Sequence, residues 1–169
     1  AGELQQAAQV ALASAQAAKE RAELREAKGT MLEGLHGALS PIADADYRAV
    51  MAELQAMGGD DIISKKGLDE RVDALDARRD KLEENAALVS GEREALAGLI
   101  EDAANVGVLS KIEEKVEVAQ QKVGPHNDAV TRYGEDAAIL TRELQAAIVS
   151  AKAIADATAR LEALNAAKA

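Results

Sequence analysis

From Leu68 onward the large apolar residues fall on a seven-residue period. Leu68, Leu75, Leu82, Val89 and Leu96 are seven apart, and Val72, Arg79, Ala86, Arg93 and Ile100 fall between them. Steps of three and four put all ten on one narrow face of a helix, the pattern of a coiled-coil seam. The series breaks at ANVGVL. It resumes as Leu109, Ile112, Val116, Ala119, Val123, His126, Val130, Tyr133, Ala137, Leu140, Leu144, Ala147, Ala151, Ile154, Thr158 and Leu161. Ser110 with Glu113 reads as a capping box at the start of this second helix.

A short connection favours antiparallel neighbours. In such a pair, facing seam residues have residue numbers of constant sum. A sum of 212 places Leu68 opposite Leu144, Leu82 opposite Val130, Arg79 opposite Tyr133 and Ile100 opposite Ile112. The flanking charges then pair as Arg71–Glu143, Arg78–Asp136 and Glu92–Lys122, all of opposite sign. A slip of one heptad keeps only one such pair. Exposed pairs are worth only ~0.3–0.5 kcal/mol each, so they select the register more than they stabilise it. The expectation is an elongated antiparallel coiled-coil hairpin, about 67–104 against 109–147. Its length is about 55–60 Å at about 1.5 Å per residue. The guanidinium of Arg79 is expected over the ring of Tyr133.

The N-terminal part is less sharply phased. Residues 3–28 read as a continuous helix of alanine, glutamate, glutamine and lysine. Ser40-Pro41 resembles a helix start with proline at the first position. Asp44 is placed to cap a short helix whose Tyr47, Val50, Leu54 and Met57 share a face. GGDDIISKKG reads as a connection. The alanine-rich runs 3–28 and 148–168 are similar in length and are expected to pack closely, since small side chains let backbones approach. The whole chain is thus expected as one all-helical domain, 1–169. Residues 1–60 with 148–169 form its bundle base, and 61–147 form a protruding arm.

Gly124 and Pro125 lie off the seam, and Gly91 sits at the same level of the facing helix. Breakers at one height mark Gly91, Gly124 and Pro125 as a candidate hinge. The seam phase passes through Pro125 without a slip, which favours a kink over a helix end. His126 reads as a layer filler opposite Ala86.

Composition thins the expected core. Alanine occupies 39 of the 169 positions, with no Phe or Trp and two Tyr. Twenty basic and thirty acidic residues give a net charge of −10. With no basic stripe and no stacking aromatics, nucleic acid is not an expected partner. There is no cysteine, and so no disulfide or thiol chemistry. No apolar run approaches the ~18 residues of a membrane span, and AGELQQ does not read as a secretion signal. A soluble protein is expected, with no compartment indicated.

The chemical motifs fall short. Glu33-x-x-His36 is half of a di-iron carboxylate pattern, and the other half is missing, because Val123 stands three residues before His126. Asp44, Asp46, Asp60 and Asp61 lack the further oxygen ligands and glycine of a calcium loop. Gly58, Gly59, Lys65 and Lys66 do not make a phosphate loop. No catalytic, cofactor or metal site is expected, and the chain is not expected to be an enzyme. The expected role is a structural or protein-interaction coiled-coil module. By analogy of shape alone, it would serve a larger bacterial or phage assembly or a secreted system. Its partners would be proteins, with self-association included. The candidate contact residues are the apolar tip, Val106, Val108 and Leu109. The register-setting residues are Arg71, Arg78, Arg79, Glu92, Lys122, Tyr133, Asp136 and Glu143. Alternatives are a helical-bundle sensor domain of a receptor and an amphipathic protein of lipid or granule surfaces. The last is disfavoured by the acidic balance and missing aromatics.

Overall fold

In the computed structural model, residues 2–168 are described, and they form helices and connections without a strand. The helices are α1 (Gly2–Gly34), α2 (Tyr47–Ala56), α3 (Asp60–Lys66), α4 (Leu68–Asp102), α5 (Val106–Gln121) and α6 (Val123–Lys168). The chain divides into two compact units. One comprises residues 1–39 and 86–125, the other 40–85 and 126–169. This grouping places the N-terminal helix with the 86–125 stretch.

The first unit is built around Leu35, Leu96, Ile100, Ala103, Leu109, Ile112, Val116 and Ala119, all buried. Leu24, Ala27, Met31 and Leu32 of α1 pack against this cluster. These steps of three, four and one hold one side of α1 on the end of α4 and on α5. Lys28 reaches across to the carbonyl of Glu101 at 2.8 Å, satisfying one of the orphan acceptors in the last turn of α4. Where Gly34 approaches α5, an added Cβ would lie 3.3 Å from the Gln120 side chain. Upstream of Ala17, every described residue of α1 is exposed.

The second unit has its own core. Tyr47, Met51 and Leu54 of α2 and Ile63 of α3 meet Leu68 and Leu75 of α4, and Tyr133, Ala137, Leu140, Leu144, Ala147 and Ile148 of α6. The residues expected as a plain connection thus include a helix. Gly67 ends it in the left-handed region (φ 60°), where glycine is strain-free, and its amide returns to the Ile63 and Ser64 carbonyls. Ile63, at 6% exposure, ties the short helix to the core.

Two expected starts move. Residues 36–45 are not helical, so Ser40-Pro41 opens no helix. Local signals there are overridden by α4 and α6: the Ser40 amide donates to Asn127 Oδ1 at 2.7 Å, and Arg79 donates to the Ala43 carbonyl at 2.5 Å. Asp44 does not cap α2. Asp46 stands at that cap, and Asp44 accepts from Arg79 at 3.4 Å. At α5 the cap is Asn105, whose Oδ1 accepts from the Val108 amide at 2.9 Å. Ser110 lies inside that helix and its hydroxyl bonds back to the Val106 carbonyl, so the S-K-I-E box does not form.

The alanine-rich runs are not covered. Residues 2–16 and 152–168 are exposed throughout. Alanine supplies helix propensity at both ends of the chain but too little apolar surface to drive burial.

Candidate functional site

The most connected polar constellation joins α2, α4 and α6 within the second unit. Tyr47 and Tyr133 are both fully buried, with their hydroxyls 3.3 Å apart. Tyr47 donates to Asp76 Oδ1 at 2.6 Å, and Arg48 Nε donates to the same oxygen at 2.7 Å. Arg79 lies near Tyr133 and donates from Nε to Glu83 at 3.1 Å. Tyr47 spends its one proton on Asp76, so Tyr133 is the donor to Tyr47. Burial, and next the bond to Asp76, push the Tyr47 hydroxyl well above the ordinary tyrosine range. It stays a neutral donor. Every member has its partner, so the cluster works as a latch holding α2 and the 43–44 segment against the two long helices.

Arg79 was expected over the ring of Tyr133. The two side chains lie near each other, but the guanidinium gives its hydrogen bonds to Glu83, Ala43 and Asp44, partners that no local pattern reveals. Arg71 pairs with Glu143, and Arg78 with Asp136 at 2.6 Å. In the first unit Lys122 pairs with Glu92 at 2.8 Å. The structure thus brings together all three pairs that the charge pattern picks out.

The candidate tip divides. Val106 is 44% exposed and Val108 37%, whereas Leu109 is 2% exposed and sits in the first unit's core. Leu109 is therefore a packing residue and is unavailable to a partner. A cavity of about 540 Å³ lies beside this tip, with Ala17, Glu20, Arg21 and Leu24 facing Asn105 and Val106. A second, of about 390 Å³, is rimmed by Glu23, Glu26 and Glu113. A third, of about 480 Å³, exposes Leu99 and Val118 between Glu92 and Glu114.

At the candidate hinge, Gly91 lies inside α4 and Gly124 in the first turn of α6, and a Cβ added at either would meet nothing. Lys122, between α5 and α6, keeps right-handed helical angles (φ −79°, ψ −18°). The helix is interrupted there: the Lys122 amide reaches the Ala119 carbonyl, three residues back, and Pro125 has no N–H to give the carbonyl of Gln121.

His126 is 2% exposed, and its Nδ1 lies 3.0 Å from Asn85 Nδ2, while Nε2 has no partner. Among the described residues no three His, Asp or Glu side chains gather to hold a metal, and no helix is long and apolar enough to cross a membrane. No protein-family model, curated protein or solved structure matches the chain.

Proposed function

We propose that the chain is a non-catalytic structural and protein-interaction module whose scaffold is an antiparallel coiled-coil hairpin, about 67–104 against 109–147. Support for the hairpin comes from both units separately. In the second, cross-helix pairs Arg71–Glu143 and Arg78–Asp136 have residue numbers of the same sum, as antiparallel partners must. In the first, Glu92–Lys122 continues that sum. Leu75, Leu140 and Leu144 are buried on the seam of the second unit, and Leu96, Ile112 and Val116 on that of the first.

The observation that carries the interaction role is the last stretch of α6. Its heptad seam runs on past Ala147, but Ile154, Leu161 and Leu164 are each about 60% exposed. Those three side chains share one face, Lys152 and Asp156 lie on the far side, and Arg160 flanks the apolar face one turn before Leu164. An amphipathic helix of this kind presents a ready seam to a helix of a protein partner. Tyr47, Tyr133, Asp76 and Arg48 are satisfied within their own network, which favours a structural role for them over catalysis.

The test is a photo-crosslinking amino acid placed at Ile154, and separately at Lys152, in the cell that makes the protein. Discrete protein adducts from position 154 and none from 152 are expected. Equal labelling from both, or no adduct from 154, contradicts the reading.

A further inference from the structure

One cavity of the second unit has a different electrical character from those described above. It measures about 470 Å³ and is lined by Arg78, Lys81, Leu82, Asn85, Ala129 and Arg132. Three cations line it and no acid does, although the chain carries thirty acids against twenty bases. The three cavities of the first unit all have glutamates on their walls.

Its position explains its origin. Arg71 faces Glu143 and, seven residues on, Arg78 faces Asp136. The next rung of the same series is Asn85 with Ala129. Neither is charged, and the methyl of Ala129 leaves the space that longer side chains fill elsewhere. Asn85 turns its amide to His126 and closes no rung. Lys81 and Arg132, exposed on either side of the gap, have no ion-pair partner among the described residues. Arg78 gives one guanidinium nitrogen to Asp136, with its side chain 43% exposed and further donors left over.

We infer that this gap in the ion-pair ladder is a carboxylate-binding groove that receives an acidic side chain from a peptide segment of a partner protein. The inference rests on the interaction-module reading and supplies it with the chemistry of a contact. A carboxylate is the anion indicated, because the neighbouring rungs are each closed by one, Glu143 and Asp136. Arginine matches its two oxygens with two parallel donors, and lysine adds a point charge. Leu82 at the base of the groove gives the methylenes of a glutamate an apolar surface.

The experiment is an amide-NMR titration of the full chain with a hexaglutamate peptide at low salt, against hexaglutamine and inorganic phosphate. Saturable shifts at Asn85, Ala129 and Arg132 are expected with hexaglutamate and not with hexaglutamine. In the Lys81→Gln/Arg132→Gln variant the affinity is expected to fall about ten-fold or more, as for loss of close charge pairs. In Lys152→Gln/Arg160→Gln, which removes the same charge from α6 outside the groove, it should stay within about two-fold, since screened distant charges contribute little. All four replaced side chains are exposed, and a melting curve for each variant confirms the fold. Absence of saturation, equal loss in both variants, or phosphate binding as tightly as hexaglutamate overturns the assignment. Peptide binding without adducts from position 154 would sink the module reading and spare the groove. Adducts without peptide binding would do the reverse.

Discussion

The buried hydroxyl of Tyr47 donates to Asp76 Oδ1 at 2.6 Å, and that bond joins the first turn of α2 to the middle of α4's first half. Because Tyr133 and Arg48 lean on the same pair, the contact is the centre of a relay and not an isolated bond.

Removing the hydroxyl separates its two effects. Tyr47→Phe keeps the ring in place but leaves Tyr133 without its acceptor and Asp76 with one donor fewer. The expected loss is about 1–3 kcal/mol, the cost of orphaning a buried polar group, read from urea unfolding at neutral pH.

The same hydroxyl makes stability fall at alkaline pH. Its pKa is raised in the folded protein, so the folded state keeps a proton that the unfolded chain releases above the ordinary value of about 10. The stabilisation is complete below pH ~10 and declines as pH rises through and beyond it, by up to about 1.4 kcal/mol per unit. Tyr47→Phe should flatten this decline relative to the parent between pH 9.5 and 11, a window set by that ordinary tyrosine value of about 10. Parallel curves for the two proteins would contradict the assignment.

Pro125→Ala restores the donor that Gln121 lacks, at a place where the backbone is already helical. It should stabilise the protein by about 1–3 kcal/mol and raise its melting temperature. An unchanged or lower melting temperature would mean that the proline is a favourable first-turn residue of a separate helix.

Leu109 and Val106 stand three residues apart and differ in role. Leu109→Ala should cost about 2–5 kcal/mol, as large-to-small changes in cores do. Val106→Ala, at a 44% exposed side chain, should stay within about 0.5 kcal/mol. Chemical denaturation of the two variants checks the split.

The helical class was legible because the large residues of α4, α5 and α6 keep one seven-residue period with few breaks. The ion pairs were legible because a register that aligned the leucines also aligned charges of opposite sign. The place of α1 was not, since alanine on every side gives its first half no distinct face, and only Leu24, Met31 and Leu35 record where it docks. The 36–45 segment hid its structure for another reason. Its backbone groups are satisfied by Asn127 and Arg79, far away in sequence, so local cap and proline signals were misleading. Leu109 looked like part of an exposed tip because the tip's covering helix lies some eighty residues earlier. The basic groove depends on what is missing at Asn85 and Ala129, which a search for matching charges passes over.

The antiparallel course of α4 along α6 is the claim on which most of this depends, and the absence of native cysteine makes it directly measurable. Cysteines at 71 and 143, treated with a short bis-maleimide, should give one crosslinked chain in high yield, while 71 with 150, a heptad away at about 1.5 Å per residue, should not. Efficient joining of 71 to 150, or products that link two molecules in place of one, would contradict it.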